Sequence, residues 1–111
     1  MTGITTHVLD TSRGRPAEGV AVSLEHSADS DWRLVASGVT DADGRARDLL
    51  SSRPERGRYR LIFDTAAYFR AAGESGFYPE VVVTFLVDRD ENHYHVPLLL
   101  NPFGYSTYRG S

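Results

Sequence analysis

The chain has 111 residues, 41% of them hydrophobic and 11% aromatic, which is enough apolar material to build one core and to exclude disorder. It has no cysteine, so disulfides and thiolate chemistry are excluded. The formal net charge is −3, and every basic residue is an arginine interleaved with acidic residues. Without a basic block, binding to nucleic acid has no electrostatic basis. We expect a single domain over residues 1–111.

The two ends of the sequence give expectations about location and about the terminus. No stretch approaches the roughly 18 apolar residues that a membrane span needs, and residues 1–3 lead into strand-like sequence without a secretory signal. We therefore expect a cytoplasmic protein with no membrane partner. Tyr108-Arg109-Gly110-Ser111 follows strand-like sequence directly, which makes the last carboxylate a candidate functional group. An edge strand that simply ends is the alternative, and these residues alone favour it.

In chain order, the dominant pattern is an alternation of apolar and polar residues, which is typical of half-buried strands. It predicts strands around residues 20–24, 32–37 and 59–63. Val81–Val87 is apolar on both faces and predicts a central or interface strand. Turn-forming residues at 13–16, 41–44, 54–57 and 88–92 separate the runs.

One segment predicts a helix. Asp64 can cap it, an alanine-rich stretch follows, and Gly73 can end it, so we expect a short α-helix at about residues 65–73. About seven or eight short strands with one brief helix predict an all-β fold, namely a β-sandwich.

The residues most suited to chemistry are four histidines, and two of them lie on a single strand face. His93 and His95 are two residues apart, so both side chains point the same way. Three interpretations stay open: a metal chelate with His7 as a third ligand, a catalytic acid/base pair, or a coincidence on the surface. No carboxylate or cysteine completes a zinc ligand set, which disfavours the metal. We interpret His26, alone near a strand end, as structural.

A second candidate motif is Asp41-Ala42-Asp43-Gly44, which begins like a calcium loop. The remaining acidic ligand and the distal bidentate glutamate are missing, so a hairpin turn is the better interpretation. These residues therefore predict no metal site.

Three separated segments together resemble a known family. They are Ile4–Asp10 with Gly14–Ala17, then Thr40–Arg45, and finally residues 93–100 with the terminal Tyr-Arg-Gly-Ser. In this order they are similar to the transthyretin-like 5-hydroxyisourate hydrolases. The resemblance implies a transthyretin-like sandwich of two four-stranded sheets, with a short helix after the fifth strand. It also implies a homotetramer, a dimer of dimers, with active sites in the channel where the dimers meet.

The resemblance further implies a reaction and a set of site residues. Water opens 5-hydroxyisourate to 2-oxo-4-hydroxy-4-carboxy-5-ureidoimidazoline during urate (purine) degradation, so the enzyme is a cyclic amide hydrolase that needs no metal or organic cofactor. The family's catalytic histidines correspond to His7 and His95. Its substrate-binding residues correspond to Arg45, Ser111 and Tyr108. His93 and Arg109 are expected to support these residues without reacting. Arg47 lies close to Arg45 in the sequence but does not correspond to the family's substrate-binding arginine.

The implied chemistry suits these residue types. A base must accept a proton as water attacks the carbonyl, and histidine titrates near neutral pH. An arginine fork can hold a planar, partly anionic ring. The chief alternative is a carrier without catalytic activity that binds a small ligand in the same channel; the absence of lysine from the chain argues against it. A structural or adhesion sandwich is a third class, and it predicts that His7, Arg45, His95 and the terminus lie apart.

Overall fold

The computed structural model describes residues 3–88 and 91–111. Their elements, in chain order, are β1 (Gly3–Asp10), β2 (Arg15–Pro16), β3 (Ala21–Ser27), β4 (Arg33–Val39), β5 (Arg45–Leu50), β6 (Gly57–Phe63), α1 (Thr65–Ala71), β7 (Val81–Val87), β8 (His93–Asn101) and β9 (Gly104–Thr107). The predicted turn at 88–92 includes residues 89 and 90, which lie outside the described residues.

The strands form two sheets, so the predicted all-β sandwich is confirmed. The first sheet has the order β2-β1-β8-β9, with β5 also paired to β1, and the second has the order β4-β3-β6-β7. The second sheet has the four strands predicted. Among the described residues the first contains four longer strands and, in addition, the two-residue β2. Its central pair, β1 and β8, is parallel, whereas the other pairings are antiparallel.

The core forms where alternate side chains of both sheets turn inward. The predicted alternation is confirmed in β3 and β6, whose residues Val22, Leu24, Leu61 and Phe63 are buried. It fails in β4, an edge strand that leaves Leu34 66% exposed.

The prediction of a central strand at Val81–Val87 was wrong. β7 is the edge of the second sheet. Val81, Val83 and Val87 point into the core, while Val82 and Leu86 are exposed. An edge strand with an apolar outer face has the same sequence pattern as a central strand that is buried on both faces. The pattern does not say what covers each face. The alternative, an interface strand, stays a prediction.

The predicted helix is confirmed, although it ends two residues early. The Asp64 carboxylate accepts a hydrogen bond from the Ala67 N–H at 3.1 Å, as an N-cap does. Gly73 has a φ of +75° and so ends the helix in the conformation that glycine adopts at least cost. Within the described ranges, no helix is long and apolar enough to cross a membrane.

A buried carboxylate joins the end of β1 to this helix. One Asp10 oxygen accepts hydrogen bonds from the Ser12 hydroxyl at 2.6 Å and from the Ser12 and Arg13 N–H groups. The other accepts from the Tyr68 hydroxyl at 2.6 Å. Burial opposes ionisation, but the hydrogen bonds outweigh it and keep the pKa of Asp10 below its ordinary value. Burial, together with that carboxylate, raises the pKa of Tyr68 to about 12. The strand that begins the candidate site is therefore anchored at its far end.

Candidate active site

Strand register brings the predicted site residues onto the outer face of the first sheet. In the antiparallel pair β1–β5, His7 lies opposite Arg45. In the parallel pair β1–β8, Thr5 lies opposite His95. Directly opposite residues of neighbouring strands have Cα atoms about 4.5–5.5 Å apart, so three strands present these side chains together. The scattering expected of an adhesion sandwich is not observed for these residues.

A pocket of about 480 Å³, partly open to solvent, lies on this face. It is lined by nine residues from β1, β5, β8 and the C-terminal segment: Thr5, Thr6, Arg45, Arg47, His93, His95, Tyr108, Gly110 and Ser111. His7 is not in the lining, but its ring centroid lies 6.5 Å from that of His95. The predicted residues His95, Arg45, Ser111, Tyr108 and His93 therefore share one pocket, with His7 at its border.

A threonine hydroxyl links the two histidines of β8. Thr5 Oγ1 lies 2.9 Å from Nε2 of His93 and 2.8 Å from Nδ1 of His95. The two rings are 6.2 Å apart and nearly parallel. Since Nδ1 of His95 is engaged by Thr5, its Nε2 is the nitrogen that remains for a substrate or a water molecule.

His95 is held in its neutral, basic form. Partial burial is the largest cause, and the positive charge of Arg45 is the next; together with His93 and His7 they lower the pKa of His95 below its ordinary value. A histidine with a lowered pKa stays unprotonated at neutral pH, which is the state that a general base requires.

Arg45 and Arg47 both line the pocket, but they differ in their partners. Arg47 is paired with Asp41 at 3.8 Å and with Asp43 at 3.5 Å. Among the described residues, the Arg45 guanidinium has no hydrogen-bonding or ion-pair partner. Arg45 is therefore the cation left available to a ligand, whereas Arg47 is partly neutralised.

A tight turn holds Arg45 at the start of β5, as the sequence predicted. The Asp41 carboxylate accepts hydrogen bonds from the backbone of Asp43 and of Arg45, at 2.9 and 3.0 Å. Gly44 has a φ of +77°, and a Cβ there would lie 2.4 Å from the Val8 carbonyl oxygen, so no other residue fits. The calcium-loop pattern is thus a turn that carries Arg45.

The C-terminal segment returns to the site after a break in the sheet. Register places Pro97 opposite Tyr108, and proline has no N–H to pair with it. The Pro97 carbonyl instead accepts from the Thr107 hydroxyl at 2.7 Å. Pairing resumes at Gly110, whose N–H donates to the His95 carbonyl at 2.9 Å. This bridge brings Gly110 against His95 and places Ser111 in the lining of the same pocket.

Arg109 is the predicted residue, besides His7, that does not line the pocket. Its guanidinium pairs with Glu91 and lies 4.8 Å from the centre of the Tyr94 ring. His26 is also remote: its ring stacks on Tyr59 at 4.4 Å, with Nε2 3.0 Å from the Arg56 carbonyl oxygen. The structural interpretation of His26 agrees with these contacts.

The sequence did not reveal Thr5 or Gly110. A threonine in a strand is usually unremarkable, and its role here depends on a parallel register between residues 88 positions apart. Gly110 approaches so closely that a Cβ would lie 2.7 Å from Cδ2 of His95. In the part of the chain that is described, no group of three or more histidine, aspartate or glutamate side chains is arranged to hold a metal ion.

Comparison with known proteins gives the same fold and a family. The model described as HIUase/Transthyretin family matches residues 4–110. The chain belongs to the HIUase/Transthyretin family. It is 45% identical over 109 residues to the 5-hydroxyisourate hydrolase of Salmonella dublin, a match that covers 97% of this chain and 80% of that one.

Two solved structures show how widely this fold is used within the family. The Klebsiella pneumoniae 5-hydroxyisourate hydrolase is 40% identical, with a TM-score of 0.87 over 100% of both chains. A sea bream transthyretin in complex with thyroxine is 35% identical, with a TM-score of 0.90 over 96% of this chain and 93% of that one. Because a hydrolase and a thyroxine-binding protein match about equally well, only the site can separate the two functions.

Proposed function

We propose that this chain is a cyclic amide hydrolase that opens 5-hydroxyisourate to 2-oxo-4-hydroxy-4-carboxy-5-ureidoimidazoline in urate degradation. One observation carries the proposal: His7, His95 and Arg45, whose guanidinium has no partner among the described residues, meet on one sheet face. The identity of 45% to a relative named as this hydrolase supports it. The proposed chemistry requires no cofactor. A neutral histidine supplies the base, and the positively charged arginine stabilises the negative charge that develops on the substrate.

In the proposed mechanism, the histidine pair activates water. His95, neutral through its lowered pKa, accepts a proton as the water oxygen attacks the ring carbonyl. His7, whose ring centroid lies 6.5 Å from that of His95, orients the water. General base catalysis of this kind contributes about 100- to 10,000-fold. The proton taken from water then passes to the ring nitrogen as the C–N bond breaks.

Arg45 holds the substrate and stabilises the charge that develops during attack. Its fork of N–H donors fits the adjacent oxygen and nitrogen atoms of a planar, partly anionic ring. In the transition state the carbonyl oxygen becomes negative, and a cation in a partly desolvated pocket lowers the energy of that state. Ser111 and Tyr108 complete the substrate wall of the pocket, while His93 supports His95 and Arg109 holds the last segment through Glu91.

We further propose that the protein is a homotetramer, a dimer of dimers, whose channel contains the site. The partly open pocket and the exposed apolar residues Val82 and Leu86 on the β7 edge support burial of these surfaces by further copies. Sedimentation at several concentrations would measure the mass of the assembly. A cytoplasmic location stays a prediction from the sequence, which imaging of a fluorescently tagged chain would test.

A carrier is the competing function, and the sea bream complex with thyroxine gives it a specific basis. The pocket residues argue against it. Two histidines, two arginines and two threonines line the site, and these groups suit a small polar ring better than an apolar ligand. A carrier also has no need for a histidine whose pKa is lowered by burial and by a neighbouring arginine.

The experiment that separates the two is a turnover assay. Freshly made 5-hydroxyisourate loses its absorbance slowly in buffer, and we expect substoichiometric protein to accelerate this loss through many turnovers. A carrier would leave the rate at its uncatalysed value and would bind at most one equivalent per site. That outcome would remove the enzyme proposal.

A further inference from the structure

Thr5 occupies a position that the proposed mechanism does not yet use. Its side chain is largely buried, with 7% exposure, and it lies between the two histidines of β8. Its hydroxyl oxygen is 2.8 Å from Nδ1 of His95 and 2.9 Å from Nε2 of His93. Both distances are those of true hydrogen bonds. One hydroxyl therefore connects two titratable rings.

The chemistry of a hydroxyl limits how these bonds can be arranged. A threonine has one proton to donate and two lone pairs that accept. It can donate to only one of the two ring nitrogens, so the other nitrogen must carry a hydrogen and donate to Thr5. The protonation of one ring is thus coupled to that of the other.

Only one fully bonded arrangement leaves His95 able to act as a base. If Thr5 donated to Nδ1 of His95, the ring proton would sit on Nε2, and no lone pair would remain for water. If Nδ1–H of His95 donates to Thr5, Nε2 is free to accept a proton. Thr5 then donates to Nε2 of His93, and the proton of that neutral ring sits on its own Nδ1.

A third arrangement, in which both rings donate to Thr5, leaves the threonine proton without a partner at either histidine. An unmatched buried donor costs about 1–3 kcal/mol. The chain His95 Nδ1–H to Thr5, and Thr5 O–H to His93 Nε2, satisfies every participant. It also survives catalysis, because His95 gains its proton on Nε2 and the bond to Thr5 does not change.

We propose that Thr5 is a positioning residue that fixes the proton of His95 on Nδ1 and so exposes Nε2 as the base, with His93 as the acceptor that orients the threonine hydroxyl. This inference rests on the proposed function for its catalytic consequence. Its hydrogen-bond assignment does not depend on any substrate.

The first test therefore needs no turnover. Nitrogen NMR of the histidine rings in the wild-type protein, above the pKa of His95, distinguishes the two neutral tautomers. We expect the proton on Nδ1 in both His93 and His95. A proton on Nε2 of His95 would overturn the proposal, whether or not the protein proves to be a hydrolase.

The second test uses substitutions that change one atom at a time. Thr5→Val keeps the branched shape but removes the hydroxyl, whereas Thr5→Ser keeps the hydroxyl. Residues that orient metal-bound histidines typically contribute about 10- to 100-fold, and by analogy we expect Thr5→Val to lower kcat by that factor with KM within about twofold. Thr5→Ser should restore kcat to within about threefold of the wild-type value. In Thr5→Val, the His95 tautomer should become mixed.

Thr11→Val is the matched control, because the partner of the Thr11 hydroxyl among the described residues is the Leu100 carbonyl, at 3.2 Å, beyond the far end of β1. We expect wild-type kinetics from it. Circular dichroism and melting curves of each variant check the fold. Wild-type kcat in a folded Thr5→Val protein would overturn the proposal, and if Thr5→Val does not fold, the wild-type tautomer decides. A wild-type protein without turnover would instead contradict the proposed function and leave the tautomer test standing.

Discussion

The outer faces of the two sheets both carry polar side chains but arrange them differently. On the second sheet, Arg60 donates to Glu25 at 2.6 Å and lies 4.2 Å from the centre of the Trp32 ring. A hollow of about 580 Å³ opens there, and neither histidine nor arginine lines it. On the first sheet, Arg45 has no ion-pair partner in the part of the chain that is described, and the rings of His93 and His95 meet a shared hydroxyl. The positive charge of Arg60 is thus paired within the second sheet, whereas the positive charge of Arg45 is available to a ligand in the pocket of the first sheet.

The difference between the two sheet faces is tested most strongly by replacing His7 and His95 on the first sheet. We expect His95→Ala to reduce turnover of 5-hydroxyisourate by about 100-fold or more, because the general base is lost, and His7→Ala to reduce it by a comparable factor. Glu25→Gln, which removes the negative charge that pairs with Arg60 on the second sheet, should keep wild-type turnover. Full activity in both histidine variants would contradict the assignment of the active site to the outer face of the first sheet.

Arg45→Lys should produce the next largest effect. Lysine keeps the positive charge but cannot make a bidentate contact, so we expect KM to rise by about tenfold in a protein that folds normally. Arg47→Lys serves as its control, since Asp41 and Asp43 already occupy that side chain. Steady-state kinetics of the two variants should differ clearly. Equal losses would mean that pairing does not decide which arginine binds substrate.

Gly110→Ala should cause a smaller loss through geometry alone. The added Cβ would lie 2.7 Å from Cδ2 of His95 and 3.2 Å from Cγ of Pro97, so the ring or the last segment must move. A displacement below about 1 Å predicts a roughly threefold to tenfold fall in kcat. The control is Gly38→Ala on the second sheet, where the new Cβ meets only Leu49 at 3.7 Å. Unchanged kinetics for Gly110→Ala would show that His95 tolerates movement.

The smallest predicted effect concerns the pKa of His95. A base is active when neutral, so activity is present above this pKa and lost as the pH falls through it; the lowered pKa extends activity to more acidic pH. Arg45→Gln removes a positive charge that disfavours protonation, and the pKa should rise. Arg47→Gln should change it less. An NMR titration of His95 measures both, and a pKa that falls in Arg45→Gln would contradict the electrostatic account.

Much of the fold was predictable from local chemistry. The alternation in β3 and β6, the Asp64 cap, the Gly73 stop and the turn before Arg45 each depend on a few neighbouring residues. The position of β7 was not predictable, because Val82 and Leu86 look buried in a sequence whether a core or another surface covers them. An apolar pattern reports which residues avoid water and does not report how they do so.

The site was predictable only through the resemblance to a family. His7, Arg45 and His95 are separated along the chain, and the β1–β8 and β1–β5 registers that join them cannot be read from spacing. Thr5 was missed for the same reason, since its role arises from the strand that lies beside it. The arginine that pairs and the one that stays free could be distinguished only once Asp41 and Asp43 had positions.

The assignment of the active site to the outer face of the first sheet is tested most directly by measuring where one ligand binds on the two sheets. Urate is a stable planar analogue of the substrate ring, and amide and side-chain NMR shifts can follow its binding residue by residue. We predict that the shifts concentrate on Thr5, Arg45 and His95, and that Glu25 and Arg60 stay unchanged. Shifts confined to the second sheet would contradict the assignment of the active site to the first.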